Sequence, residues 1–286
     1  MVKETILLGI EVTGKVAEVF ENNGIANVLF GFLPLCLHTA VDDVWDVEFV
    51  IPDAKIADAI SALIKNGYVE CTNADCDELS MEHMVSPCIL KYPKHPIPIA
   101  HFHIERIPFV VALFRQSTLL LYLSHELTPE RPGPDHPELM LSTDPRLPSF
   151  YDEGPHSSYY GPSGPWSGRP PVRVLNATAF TQAVLMLFMR DYPATDSDKD
   201  RVIDRFSFTW QRMARLLAGH CTPNLPEKNL PREFQLGWKY FCRKGPIEHS
   251  EFLPLMWLRK HFTEIEVFPN DLPEVNIHAF RGSKTT

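Results

Sequence analysis

Residues 29–52 read LFGFLPLCLHTAVDDVWDVEFVIP. A short apolar run ends at Gly31, and further on comes Asp46-Val47-Glu48-Phe49, acid alternating with apolar residue. In a strand, alternate side chains share a face. Asp46 and Glu48 therefore project from one face, and Val47 and Phe49 project from the other into a core. Two neighbouring carboxylates repel one another and are costly to desolvate, and a divalent cation between them relieves both costs. The acid pair is thus a candidate metal and catalytic site.

The flanking sequence supports strand and helix around this stretch. Val16, Val19 and Phe20 recur at helical spacing within residues 13–22, and Asn23-Gly24 is a stop signal. Residues 25–30 then read as a buried strand, and Trp45 to Ile51 as a second. After Pro52, Asp53 is placed to cap a helix whose apolar stripe is Ile56, Ala59, Ile60, Leu63 and Ile64, with Gly67 ending it. Residues 68–71 read as a short strand, and the acidic run 75–82 as a loop or short helix. In the strand Ile99 to Glu105, alternation puts His101, His103 and Glu105 on one face. A further strand is expected at Val110 to Phe114.

Residues 128–171 are rich in Pro, Gly, Ser and Tyr, with weak periodicity. A connection of that length predicts a flap, a cover or a mobile segment. Helices are expected at 176–191, 198–218, 233–243 and 251–262, with Trp210, Trp238 and Trp257 in their core. The fold class expected is α+β: a mixed sheet with flanking helices in residues 1–127, a Pro/Gly-rich connection or flap in 128–174, and a helical region in 175–286.

Composition excludes several function classes. The net charge of −9 over 286 residues argues against a nucleic-acid partner, which a basic footprint would signal. No apolar run is long enough to span a membrane, and the start, MVKETILLGIEV, does not read as a signal peptide. The six cysteines form no CxxC pair, so they read as reduced thiols of a cytoplasmic protein. Several read simply as core; Cys71, Cys76 and Cys88, with His83 nearby, are a zinc candidate that their irregular spacing counts against. Walker, GxGxxG, GxSxG and HExxH motifs are absent from the sequence.

The order strand, Gly31, spacer, Asp46-Val47-Glu48-Phe49, Pro-Asp and helix resembles the nucleotidyltransferase superfamily over residues 13–122. The chain also looks like fungal members of that superfamily whose activity is not generally assigned. The resemblance implies a nucleotidyltransferase-like sheet and a cleft with Asp46 and Glu48 as metal ligands. It further implies a turn at Gly31 and Phe32 facing nucleotide phosphates, and a third acid on a later strand. Mg²⁺ or Mn²⁺ with a nucleoside triphosphate would be the cofactors, and a small-molecule hydroxyl the acceptor.

Two departures bear on activity. Phe32 stands where the family has a small residue, and Pro34 stiffens the same turn. Where the third acid is expected, the chain offers His101 and His103, with Glu105 one step further along the face. Histidine suits Mn²⁺ or a transition metal better than Mg²⁺. Three functions therefore stay open: metal-dependent nucleotidyl transfer, with His103 or Glu105 completing the site; acid–base catalysis by the acids and histidines on a small molecule of secondary metabolism, a cyclisation or isomerisation without nucleotide or metal; and a non-catalytic binding protein on the same scaffold.

Asp42-Asp43-Val44-Trp45-Asp46 also spells the DDxxD of class I terpene cyclases. That motif needs its acids on a helix, one turn apart. Here it sits at a loop–strand junction and reads as a solvated turn. Phe150, Tyr151, Tyr159, Tyr160 and Trp166 are placed either to close over an apolar ligand or to pack against the body.

Overall fold

The computed structural model describes residues 2–39, 46–73, 76–85, 88–93, 96–104, 110–123, 125–148, 165–192, 207–220, 227–242 and 253–268. For 2–8, 80–85, 88–93, 207–208, 220 and 227 it describes the backbone alone. Residues 1–179 form one compact unit and 180–286 a second.

The first unit is built on a mixed seven-stranded sheet with the order β3-β6-β7-β2-β1-β9-β8. Its strands are β1 (Val28–Phe30), β2 (Val47–Ile51), β3 (Val69–Glu70), β6 (Ala100–His103), β7 (Val110–Arg115), β8 (Leu139–Leu141) and β9 (Arg173–Leu175). A separate hairpin, β4 (Ser80–Val85) with β5 (Cys88–Pro93), lies in sequence between β3 and β6. Central β2 runs antiparallel to β1 and parallel to β7. The outer strands β3 and β6 continue antiparallel from β7. Segment 128–174, expected as a connection or flap, supplies β8 and the start of β9, which pair with each other at the opposite edge.

Alternation in β2 divides the sheet into two faces. Val47, Phe49 and Ile51 enter a core with Leu29 of β1, Val111 and Leu113 of β7, and Phe102 of β6. Helices line that core. α1 (Val2–Asn22) contributes Val16, Ala17 and Phe20, and α3 (Ile56–Lys65) contributes Ile56, Ala59, Ala62 and Leu63. The 3–4 spacing of these residues gives each helix one apolar stripe. The Phe20 and Phe49 rings meet edge to face, with centroids 5.4 Å apart. α3 ends as expected: Gly67 takes a φ of 88°, open to glycine and strained for other residues.

The start of α3 differs from expectation. Residues 53–55 form a 3₁₀ turn, and α3 has no side-chain cap. The Asp53 carboxylate instead accepts bonds from the Ser117 N–H (3.0 Å) and hydroxyl (2.6 Å) at the head of α4 (Gln116–Leu119). It thus ties the end of β7 to the end of β2.

α2 (Phe32–His38) follows β1 directly and is buried along its whole length. Its His38 Nε2 lies 2.9 Å from the Leu175 carbonyl, and burial pushes the imidazole pKa down to about 4, so His38 is neutral at physiological pH. α5 (Ala177–Asp191) begins at the end of the first unit and continues into the second.

The described elements of the second unit are helical: the rest of α5, then α6 (Ser207–His220), α7 (Arg232–Cys242) and α8 (Leu253–Glu264), with one 3₁₀ turn. Phe188, Trp210, Phe234, Trp238 and Phe241 are buried there, and the Trp210 indole N–H donates to Asp191 at 2.7 Å. Trp257 corrects the sequence reading. It is 50 % exposed, because the buried side of α8 is formed by Leu255, Met256, Leu258, Arg259 and Phe262. Among the described residues no helix is long and apolar enough to cross a membrane.

Phe49 tests the core assignment, being fully buried between α1 and the sheet. Phe49→Ala is expected to cost about 3–5 kcal/mol in urea unfolding, with the slope unchanged. A cost under about 1 kcal/mol would place Phe49 outside the core.

Candidate functional site

The face of the sheet opposite that core carries the acids. Asp46, at the head of β2, is 6 % exposed, and its Oδ1 accepts the Val110 N–H at 2.9 Å. This bond fixes the orientation of the carboxylate and joins β2 to the start of β7. Glu48 sits in register between Phe30 of β1 and Ala112 of β7.

The environment of Glu48 is set by Gly31, which turns the chain from β1 into α2. Gly31 has φ 82° and ψ −151°, and a Cβ added there would lie 1.7 Å from Glu48 Oε2. The carboxyl group therefore rests against a bare Cα, and any side chain at position 31 would displace it. Glu48 is partly buried. Desolvation pushes its pKa up to about 8, so the group is largely protonated at neutral pH. Phe32, the residue after Gly31, is buried at 5 % exposure.

His101 and His103 lie on the same face as the acids. His101 pairs with Ala112 and His103 with Val110, so β7 separates the histidines from β2. Two strand spacings make this separation about 9.5 Å between backbones. At the intervening positions β7 carries Val110 and Ala112, not a third acid. Glu105, Asp42, Asp43 and the aromatic residues Phe150, Tyr151, Tyr159 and Tyr160 lie outside the described residues.

The histidine nitrogens gather with two cysteines. One ligand atom from each of Cys71, Cys76, His101 and His103 lies within 4.8 Å of every other. Backbone pairing builds this cluster. β3 is hydrogen-bonded to β6, and the Cys71 N–H continues the ladder to the His101 carbonyl at 2.9 Å. Cys71 is thereby brought to the face that His101 and His103 share. Cys76 arrives at the head of a 3₁₀ turn, Asp77–Leu79. Its Sγ lies 3.6 Å from His103 Nε2 and 3.1 Å from Glu78 Oε2. Burial, reinforced by the hydrogen bond to Glu78, pushes the Cys76 thiol up to about 11. The Glu78 carboxylate is held below its usual pKa, chiefly by accepting that thiol proton.

No protein-family model matches the chain. Neither does any curated protein or solved structure. The functional reading therefore rests on the residues themselves. Of the residues singled out from sequence, Asp46, Glu48, His101 and His103 share one sheet face, and Gly31 touches Glu48. Sequence spacing groups Cys71 and Cys76 with Cys88 and His83, whereas the structure gathers them with His101 and His103. The side chains of Cys88 and His83 lie outside the described residues.

The raised pKa of Glu48 makes stability depend on pH. An acid whose pKa rises from about 4.5 to about 8 on folding binds more proton in the folded state between those values. Folding is therefore weakened progressively as pH rises through that window. Glu48→Gln removes the ionisation. Urea unfolding should show the variant gaining on wild type by on the order of a few kcal/mol between about pH 5 and pH 8.5. Parallel stability curves would contradict the desolvation of this carboxyl group.

Proposed function

We propose that the chain is a metal-dependent enzyme of nucleotidyltransferase-like fold, transferring a nucleotidyl group to the hydroxyl of a small molecule. The observation that carries this reading is the contact of Glu48 with Gly31. It joins the end of β1, the start of α2 and the acid-bearing strand β2 at one point, with Asp46 on the same face. The antiparallel pairing of β1 with β2 and the parallel pairing of β2 with β7 support it further.

The donor set fits one hard cation. Asp46 and Glu48 are oxygen ligands two residues apart on one strand. Mg²⁺ characteristically takes one or two carboxylates and completes its shell with water and substrate phosphate. Among the described residues this face carries no third carboxylate beside Asp46 and Glu48: β7 offers Val110 and Ala112, and β6 offers His101 and His103. The cation, when bound, supplies charge neutralisation for the triphosphate and activation of the acceptor hydroxyl. The Val110 N–H holds Asp46 Oδ1 and so presents the rest of that carboxylate in a fixed direction. Glu48 would hold the cation as a carboxylate, its proton passing to water, and the cation's charge would offset the desolvation of that carboxylate. Gly31 leaves room for that carboxylate. The free thiols of Cys71 and Cys76 favour a reducing compartment such as the cytoplasm.

A second reading is favoured by the same residue. A partly buried carboxyl group that is protonated near neutrality is suited to general acid–base work without metal or nucleotide.

Calorimetry with ATP or CTP in the presence of Mg²⁺ or Mn²⁺ tests the main reading. Cation-dependent nucleotide binding is expected, weakened at least about tenfold by Asp46→Asn, since a charged ligand is worth about 1.5–3 kcal/mol. Absence of nucleotide binding with either cation overturns it. Turnover of a small molecule that survives chelation and is lost in Glu48→Gln assigns the acid–base reading instead.

A further inference from the structure

We propose that Cys71, Cys76, His101 and His103 bind one Zn²⁺ ion, which pins the loop after β3 to strand β6. The site is distinct from the acid pair and does not depend on it.

Three features of the geometry carry this. The first is the donor set. Two thiols and two imidazoles make the sulfur–nitrogen combination of closed tetrahedral zinc sites, and soft thiolates exclude Mg²⁺ and Ca²⁺. The second is distance. With zinc bonds of about 2.0–2.3 Å, the edges of such a tetrahedron are about 3.3–3.8 Å. Cys76 Sγ and His103 Nε2 already stand 3.6 Å apart, and all four ligand atoms fall within 4.8 Å. The remaining contraction is about 1 Å, within the reach of side-chain rotation.

The third feature is the outer shell. His103 turns Nε2 towards Cys76, while its Nδ1 lies 3.9 Å from Glu78 Oε1. A zinc-bound histidine characteristically offers its second nitrogen to a carboxylate, which fixes the tautomer and strengthens the ligand. Glu78 now accepts the Cys76 thiol proton at 3.1 Å. When zinc binds, the thiol protons leave to water, and Glu78 is released from the thiol to take the His103 N–H.

The place of the four ligands in the chain defines what the ion does. Cys71 and Cys76 precede the β4–β5 hairpin, and His101 and His103 follow it. One ion therefore closes the base of the inserted segment and fastens it to the sheet edge, where β3 contributes only two strand residues. Four protein ligands leave no open position, so the role is structural. His103 is 41 % exposed at its side chain, which leaves the ion accessible to chelators.

The test uses the full chain, stripped of metal under a reducing agent and titrated with Co²⁺ and then Zn²⁺. The expected result is one ion per chain. The cobalt form should show thiolate-to-metal charge transfer and the strong visible bands of tetrahedral coordination, both bleached by one equivalent of zinc. Cys71→Ser and His103→Gln should each lose those bands and weaken zinc binding at least about tenfold. Cys242→Ser, which alters an exposed thiol elsewhere, should keep them. Asp46→Asn should also keep them, so failure of this site and failure of the acid-pair reading are separable. If the ligand variants do not fold, the wild-type melting temperature decides: zinc should raise it and a chelator reverse the rise. The proposal is overturned if reduced protein gives no tetrahedral cobalt spectrum, if the bands survive in both folded ligand variants, or if zinc leaves the melting temperature unchanged. A Cys71–Cys76 disulfide in protein purified without reductant, with no zinc uptake after reduction, overturns it in favour of a redox pair.

Discussion

The Glu48 carboxyl group rests on the Cα of Gly31, and the organisation of the first unit follows from that contact. Only glycine leaves the space and adopts the backbone angles required. The chain can therefore pass from β1 straight into α2 while the neighbouring strand keeps an acid at the crossing point. Moving that acid by one residue along β2 would turn Phe49 out of the core and send Glu48 into it. The contact and the core thus specify each other. Phe49 fixes the register through Phe20 and α1, and the register delivers Glu48 to Gly31.

Period-two alternation lets one sheet carry two kinds of chemistry on a single face. The central strand β2 presents hard oxygen donors in the first unit, held by a backbone N–H and a bare glycine. Strand β6 and the segment after β3 present nitrogen and sulfur donors. Between them β7 contributes Val110, Ala112 and Phe114 to this face. A hydrocarbon strip thus separates two donor sets that prefer different metals. The strand beyond β7 holds histidines whose nitrogens gather with cysteines.

Local pattern made much of this legible in the sequence. Acid–apolar alternation in residues 46–49, the 3–4 spacing in α3 and the stop at Gly67 are read from neighbouring residues, and each appears in the structure. What was not legible depends on pairing between distant segments. Cys71 and Cys76 meet His101 and His103 because β3 pairs with β6 across an inserted hairpin, and no local pattern encodes that pairing. The available signals were His-x-His on one strand face and a cysteine just after a strand. The irregular Cys spacing drew attention to Cys88 instead. Strands β8 and β9 are three residues each within Pro- and Gly-rich sequence, too short for periodicity to register. Asp53 was read as a helix cap because its partner, Ser117, comes from a distant part of the chain. Trp257 was read as core because its helix has apolar residues on more than one side.

The central claim is that one sheet face holds two separate metal sites of opposite preference. Anomalous diffraction from a crystal grown with Zn²⁺ and Mn²⁺, recorded at both absorption edges, tests it most directly. The account predicts a zinc peak enclosed by Cys71, Cys76, His101 and His103, and a manganese peak bounded by Asp46 and Glu48. A single peak ligated jointly by the acids and the histidines, or no peak at either place, would contradict it.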